Sequence, residues 1–185
     1  MKVVISKLRV LSTLFAMLVP IVSLAATPST APKTDDMAVS GNLGFGVPFD
    51  GPFSGLDPVI TGTFEYYTTP RVSWRGQLGF TSFEADGPGN PKVNTTFLDA
   101  NFVYNWERGN LHPFATAGIG AYRKNGSSAL PPQFDETAFG VNAGGGVDWF
   151  LGRRWGLKFE GSMHGLTGEN PNTFLLATAG VMFWF

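Results

Sequence analysis

Apolar and polar residues alternate at period two through most of this 185-residue chain. From residue 38 to the C-terminus, eight segments place apolar side chains at every second position, with small or polar ones between them. Such alternation is typical of β-strands that present one face to apolar surroundings, and each segment is close to the roughly ten residues of a tilted membrane-spanning strand. The segments cover residues 39–47, 60–66, 72–80, 98–106, 115–121, 139–149, 155–164 and 175–185.

The charged residues inside these segments all fall on the less apolar face. There are six of them: Glu65, Arg75, Asp99, Asp148, Lys158 and Glu160. A soluble sandwich or lipocalin-like barrel would turn the aromatic face inward and the charged face to water. An outer-membrane barrel does the reverse, because Lys or Arg facing lipid costs about 2–4 kcal/mol at the midplane. Alternation alone permits both classes.

The connections and the tryptophans favour the membrane barrel. Short connections alternate with mostly longer ones rich in Gly, Pro and Asn, as in outer-membrane barrels with short turns at one end and longer loops at the other. All five tryptophans lie at the short-turn end, where an aromatic girdle would sit at the inner lipid interface: Trp74, Trp106, Trp149, Trp155 and Trp184. We therefore predict an all-β fold, an eight-stranded antiparallel up-and-down transmembrane β-barrel over residues 38–185, with both termini periplasmic.

The N-terminal region has the three-part order of a secretory signal peptide. A positively charged start precedes an apolar stretch at 10–24, and small residues Ala25 and Ala26 follow. We predict a signal peptide over residues 1–26, cleaved after one of these alanines. Residues 27–37 are polar and contain proline, which predicts a flexible periplasmic leader.

Composition excludes several kinds of function. The 13 Lys and Arg residues are balanced by 14 Asp and Glu, so no basic surface is available for nucleic acid. The absence of cysteine excludes disulfides, thiolate metal sites and a cysteine nucleophile. Two histidines are too few for an ordinary zinc site. We predict no nucleic-acid partner, no cofactor and no metal.

The chain resembles small outer-membrane β-barrel proteins, the group of OmpA-like, OmpX-like and OmpW-like eight-stranded barrels. The resemblance covers about residues 38–185 and is carried by TTPRVSWRGQLGF, HPFATAGIGAY, FGVNAGGGVDWFLGRRWGLKFEGSMHG and the C-terminal TAGVMFWF. It implies location in the bacterial outer membrane, contact with its lipid, and use of Phe185 as a signal for the barrel-assembly machinery. We also expect a monomer. The family includes adhesion, integrity and small-solute passage, so the fold leaves the activity open.

Eight strands enclose a space that side chains fill, without an aqueous channel. Four large side chains at inner positions support this expectation: Tyr67, Phe114, Met182 and Trp184. We therefore predict a role in envelope integrity or in surface interaction.

Two charge pairs are predicted from turn length. Connections of five residues would place Glu65 opposite Arg75 and Asp148 opposite Lys158, on the inner face. Buried charges must be paired, so we interpret the six charged residues as a structural polar network. A gate or proton-sensitive plug is the alternative.

Two other functions are considered. The first is a narrow channel or lateral conduit for small apolar solutes, through a pocket near the long loops lined by Phe49, Phe53, Phe83, Leu130 and Phe134. These side chains could equally form an outer aromatic girdle, which we favour. The second is a lipid A-modifying enzyme, since His164, Thr167 and Glu169 supply a base, a hydroxyl and an acid. The lipid A deacylases carry a His-x-Ser-Asn element that is absent here, so we predict no enzymatic activity.

Overall fold

The computed structural model describes residues 32–49, 53–85, 92–106, 109–126, 136–152, 154–168 and 172–185. The predicted signal peptide and the first part of the predicted leader lie outside these residues. Among them, no helix is long and apolar enough to cross a membrane.

The described residues form nine strands in one antiparallel sheet. They are β1 (Met37–Pro48), β2 (Phe53–Ser54), β3 (Asp57–Thr69), β4 (Val72–Ala85), β5 (Lys92–Asn105), β6 (Leu111–Gly126), β7 (Glu136–Phe150), β8 (Trp155–Leu166) and β9 (Thr173–Trp184). Each long strand pairs with its neighbours in chain order, and pairing of β1 with β9 closes the sheet. The predicted eight-stranded antiparallel barrel is therefore confirmed.

Two features of the strands differ from the prediction. The two-residue strand β2, which pairs with the end of β4, lies in a stretch predicted as a connection. A strand this short has no detectable periodicity. The long strands contain 12 to 16 residues rather than about ten, because several continue past the apolar belt toward the longer loops. We call the end of the barrel with these longer connections the loop end, and the opposite end the turn end.

The strands are staggered around the barrel. Following paired residues once around the sheet from Ala38 leads to Pro48, ten residues further along β1. A stagger of this kind requires the strands to tilt, typically by about 35–45°. As a result, residues distant in sequence, on strands that are not neighbours, reach the same level of the interior.

The two faces of the strands separate as predicted. Phe139 is 70% exposed on the outer wall, whereas Tyr122 is fully buried inside. Four tryptophans at the turn end are exposed on the outer wall: Trp74, Trp106, Trp149 and Trp155. The fifth, Trp184, does not join this girdle. It is buried inside, with its ring centroid 4.6 Å from that of Phe150.

Two apolar clusters fill the two ends of the interior. The turn-side cluster contains Ala38, Tyr67, Phe150, Met182 and Trp184. The loop-side cluster contains Val59, Phe83, Val93, Phe97, Tyr122, Ala138, Leu166, Phe174 and Leu176. The favoured placement of Phe83 in an outer girdle is wrong, because its ring lies inside, 5.3 Å from that of Phe174.

The beginning and end of the barrel meet at the turn end. The amide of Met37 donates to the carbonyl of Phe185 at 3.0 Å, and the amide of Phe185 donates back to Met37 at 2.9 Å. The residues just before β1 contact the barrel, since the amide of Asp35 donates to the carbonyl of Tyr67 at 2.8 Å. Strand β1 begins one residue before the predicted barrel boundary.

Candidate functional site in the barrel interior

The first predicted charge pair lies inside the barrel on β3 and β4. Glu65 and Arg75 are direct cross-strand neighbours, as turn length predicts. Nε of Arg75 donates to Oε2 of Glu65 at 2.9 Å, and its Nη1 donates to Oε2 of Glu160 at 2.8 Å. The Arg75 side chain is fully buried. One guanidinium therefore joins a carboxylate on the neighbouring strand β3 to another on β8, across the interior, and such charged hydrogen bonds are strong.

The second predicted pair extends this cluster. Asp148 and Lys158 are cross-strand neighbours on β7 and β8, with Nζ 2.9 Å from Oδ1 of Asp148. The same Nζ lies 3.6 Å from Oε2 of Glu65. Five of the six predicted residues thus form one connected group, which we call the ion network: Glu65, Arg75, Asp148, Lys158 and Glu160.

The ring of Phe114 contacts both cations of the ion network. Its ring centroid lies 4.8 Å from Cζ of Arg75 and 4.6 Å from Nζ of Lys158, within the range of cation–π contacts. Gly146, its cross-strand neighbour, provides the space, because a Cβ there would lie 2.8 Å from the Phe114 ring. The cations of the ion network are therefore held by contact with an aromatic ring as well as by ion pairs.

The sixth predicted residue, Asp99, belongs to a second group nearer the loop end. Its Oδ2 lies 3.8 Å from Nδ1 of His164. The same nitrogen lies 2.9 Å from the hydroxyl of Tyr122, and Nε2 of His164 lies 3.0 Å from Oγ of Ser162. We call these four residues the histidine cluster. The ring of Phe174 stacks on the imidazole with a centroid distance of 4.9 Å.

Sequence reasoning missed the partners of His164. Thr167, the hydroxyl proposed for it, instead donates to the carbonyl of Phe139 at 2.8 Å. Glu169 lies outside the described residues. Ser162 was detectable in principle, because it stands two residues from His164 on the same face of β8.

Tyr122 was not predicted as a partner of His164, because β7 lies between its own strand, β6, and the strand that carries His164, β8. That contact requires glycine at the intervening Gly140, where a Cβ would lie 2.9 Å from the Tyr122 ring.

Comparison with known families identifies the architecture. The chain matches the family described as "Outer membrane protein beta-barrel domain" over residues 14–183, most of its length. The chain belongs to this family. Comparison with curated protein sequences finds no match.

Solved structures support the same fold for this outer-membrane barrel. Neisserial surface protein A has a TM-score of 0.66 at 12% identity, with 80% of this chain and 97% of that chain covered. OprG from Pseudomonas aeruginosa has a TM-score of 0.65 at 10% identity, covering 85% and 99%. The outer membrane enzyme PagL has a TM-score of 0.52 at 16% identity, covering 79% and 98%. Identities this low show the fold alone, so function must be argued from the interior and the outer wall.

Within the described ranges, no group of three or more His, Asp or Glu side chains is placed to hold a metal ion.

Inner glycines provide space for the large side chains opposite them, and this is testable. At Gly79, a Cβ would lie 2.0 Å from the ring of Phe97, its cross-strand neighbour. We expect Gly79→Ala to lower the free energy of unfolding by about 1–3 kcal/mol, because Phe97 is buried and must move. Gly76→Ala is the matched control on the outer face of β4, where a Cβ meets nothing within 4 Å. Urea titrations in lipid vesicles should show a loss for the first variant only, and equal stability of the two variants would contradict this packing.

Proposed function

We propose that this outer-membrane barrel has a structural role in envelope integrity, with its loop end available for surface interaction, and that it is neither a channel nor an enzyme. The observation that carries the proposal is the filled interior. The ion network lies between two apolar clusters, so an ion entering from either end would have to cross a layer of packed aromatic and aliphatic side chains. Such crossing is costly because a charge loses its hydration without gaining a partner.

The same packing argues against the two alternatives. Phe83, one of the residues considered for a solute pocket, packs in the loop-side cluster, whereas Phe49 is 39% exposed. The side chains of Phe53, Leu130 and Phe134 lie outside the described residues. For an enzyme, the relevant group is the histidine cluster, whose Ser162 and His164 are 6% and 1% exposed. Aromatic rings cover the imidazole, so a lipid substrate has no access to it.

Orientation, assembly and oligomeric state are also part of the proposal. We infer that the turn end, with both strand termini, faces the periplasm, because short turns on that side are the rule in this class. Phe185 is exposed at that end, where the assembly machinery would bind it. A monomer is favoured, because closure leaves the long strands no unpaired edge.

Single cysteines test the orientation, because the chain has none of its own. A membrane-impermeant maleimide added to intact cells should label Gly126→Cys at the loop end. It should not label Gly152→Cys at the turn end until the outer membrane is opened. Gly152 is suitable because a Cβ there meets nothing within 4 Å. If Gly152→Cys alone were labelled in intact cells, the proposed orientation would be wrong and the turn end would face outward.

The structural role itself predicts a phenotype. Cells lacking the protein should admit more of a bulky hydrophobic dye, whereas uptake of small hydrophilic solutes should stay unchanged. Expression of the full chain should restore the barrier. Slower solute uptake with an intact barrier would instead favour a conduit and overturn the proposal.

A further inference from the structure

A groove of about 400 Å³ lies on the outer wall near the loop end, across β1, β3, β4 and β5. Leu43, Ile60 and Phe80, three exposed side chains paired across their strands, line its lower part. Smaller or polar side chains line its upper part toward the loop end: Pro58, Ser82, Asn94 and Thr96. One end of the groove is therefore apolar and the other presents hydroxyl and amide groups.

The groove crosses the border of the apolar belt. On β5 the outward residues are Leu98, Ala100 and Phe102 on the turn side, and Asn94 and Thr96 on the loop side. Because charged and polar residues are excluded from the lipid-facing midplane, this change marks the level where hydrocarbon meets head groups. The apolar half of the groove thus lies among acyl chains and the polar half among head groups.

Basic side chains flank the polar half. Arg123, exposed on β6, is the cross-strand neighbour of Thr96. Lys92 is exposed at the loop end of β5 and makes a loose 3.7 Å ion pair with Glu84. Positive charge at head-group level favours an anionic head group over a zwitterionic one.

We propose that this groove is a binding site for one anionic lipid of the outer leaflet. An acyl chain lies along Leu43, Ile60 and Phe80, and the head group accepts and donates hydrogen bonds at Ser82 and Asn94. The volume is at the small end of ligand sites, about 300–1,000 Å³, and fits part of one lipid. The assignment of this lipid to the outer leaflet rests on the proposed orientation, in which the loop end faces outward.

The test measures lipid retention by the full chain in detergent micelles, using native mass spectrometry after addition of lipid A. Ser82→Phe places a ring in the groove, and we expect on the order of tenfold weaker retention of lipid A. Gly165→Phe is the matched control. Gly165 faces outward near the loop end of β8, four strands around the barrel from β4, and a Cβ there meets nothing within 4 Å. This variant should retain lipid A like the unaltered chain.

Head-group chemistry is tested with Arg123→Gln and a second lipid. This variant should weaken retention of lipid A severalfold while leaving phosphatidylethanolamine unchanged. Unaltered retention by Ser82→Phe, or an equal loss in Gly165→Phe, would overturn the site. Equal retention of both lipids with no effect of Arg123→Gln would overturn an anionic lipid as its occupant.

Two controls keep the result interpretable. Heat-modifiable mobility on gels verifies that each variant is folded. If Ser82→Phe fails this check, it is replaced by Asn94→Phe, which fills the same groove. Retention in micelles does not depend on orientation in the cell. Failure of the lipid site is therefore distinguishable from failure of the proposed orientation or structural role.

Discussion

Replacing Lys158 with methionine should lower the free energy of unfolding by about 3–5 kcal/mol. The Lys158 ammonium is 1% exposed and lies 2.9 Å from Asp148 and 3.6 Å from Glu65. Its removal leaves Asp148 without its cation in a narrow, packed interior, and an uncompensated buried charge is far more costly than a lost surface pair. Urea titrations in lipid vesicles measure the change directly.

The partner variant Asp148→Asn should cost less, because Lys158 retains Glu65 and the new carboxamide oxygen still accepts a hydrogen bond. The double variant should be more stable than the sum of the single losses implies, with a coupling of about 1–3 kcal/mol. Lys92→Met is the matched control, since its pair with Glu84 is exposed and should contribute at most about 1 kcal/mol. Additive losses for Asp148 and Lys158 would mean that water screens the ion network.

Placing arginine at Ala143 should cost about 2–4 kcal/mol, because this residue faces lipid near the middle of β7. Thr137→Arg lies on the same strand and face, six residues toward the loop end, beyond the apolar belt. It should change stability little, because the guanidinium reaches head groups or water there. Refolding titrations in vesicles compare the two variants. Equal tolerance of arginine at both positions would contradict the placement of the belt.

The sequence predicted the local features of this barrel well. Period-two alternation identifies the strands because one face of each strand must be apolar to contact lipid, whereas the other packs inside the barrel. A short turn then determines the register of a hairpin, which is why the pairing of Glu65 with Arg75 was predictable. Both inferences use residues close together in the chain.

Features that depend on barrel closure were not predictable in the same way. Arg75 and Glu160 are 85 residues apart, and they meet only because the strands close and tilt. Tyr122 reaches His164 only because β7 carries Gly140 between them. The position of Phe83 is a different case, because it follows from alternation within β4 rather than from closure. The nearness of Phe83 to a long loop suggested an outer girdle. Its position in the alternation of β4 instead directs the ring inward.

We propose that, within the described part of the chain, the two apolar clusters and the ion network together leave no path for ions. Planar bilayer recording on the purified, folded chain tests this most directly, with a large-pore porin as the positive control. We expect no steady conductance above that of the bare bilayer, for the unaltered chain and for Thr137→Arg alike. A sustained, reproducible single-channel conductance from the unaltered chain would contradict it.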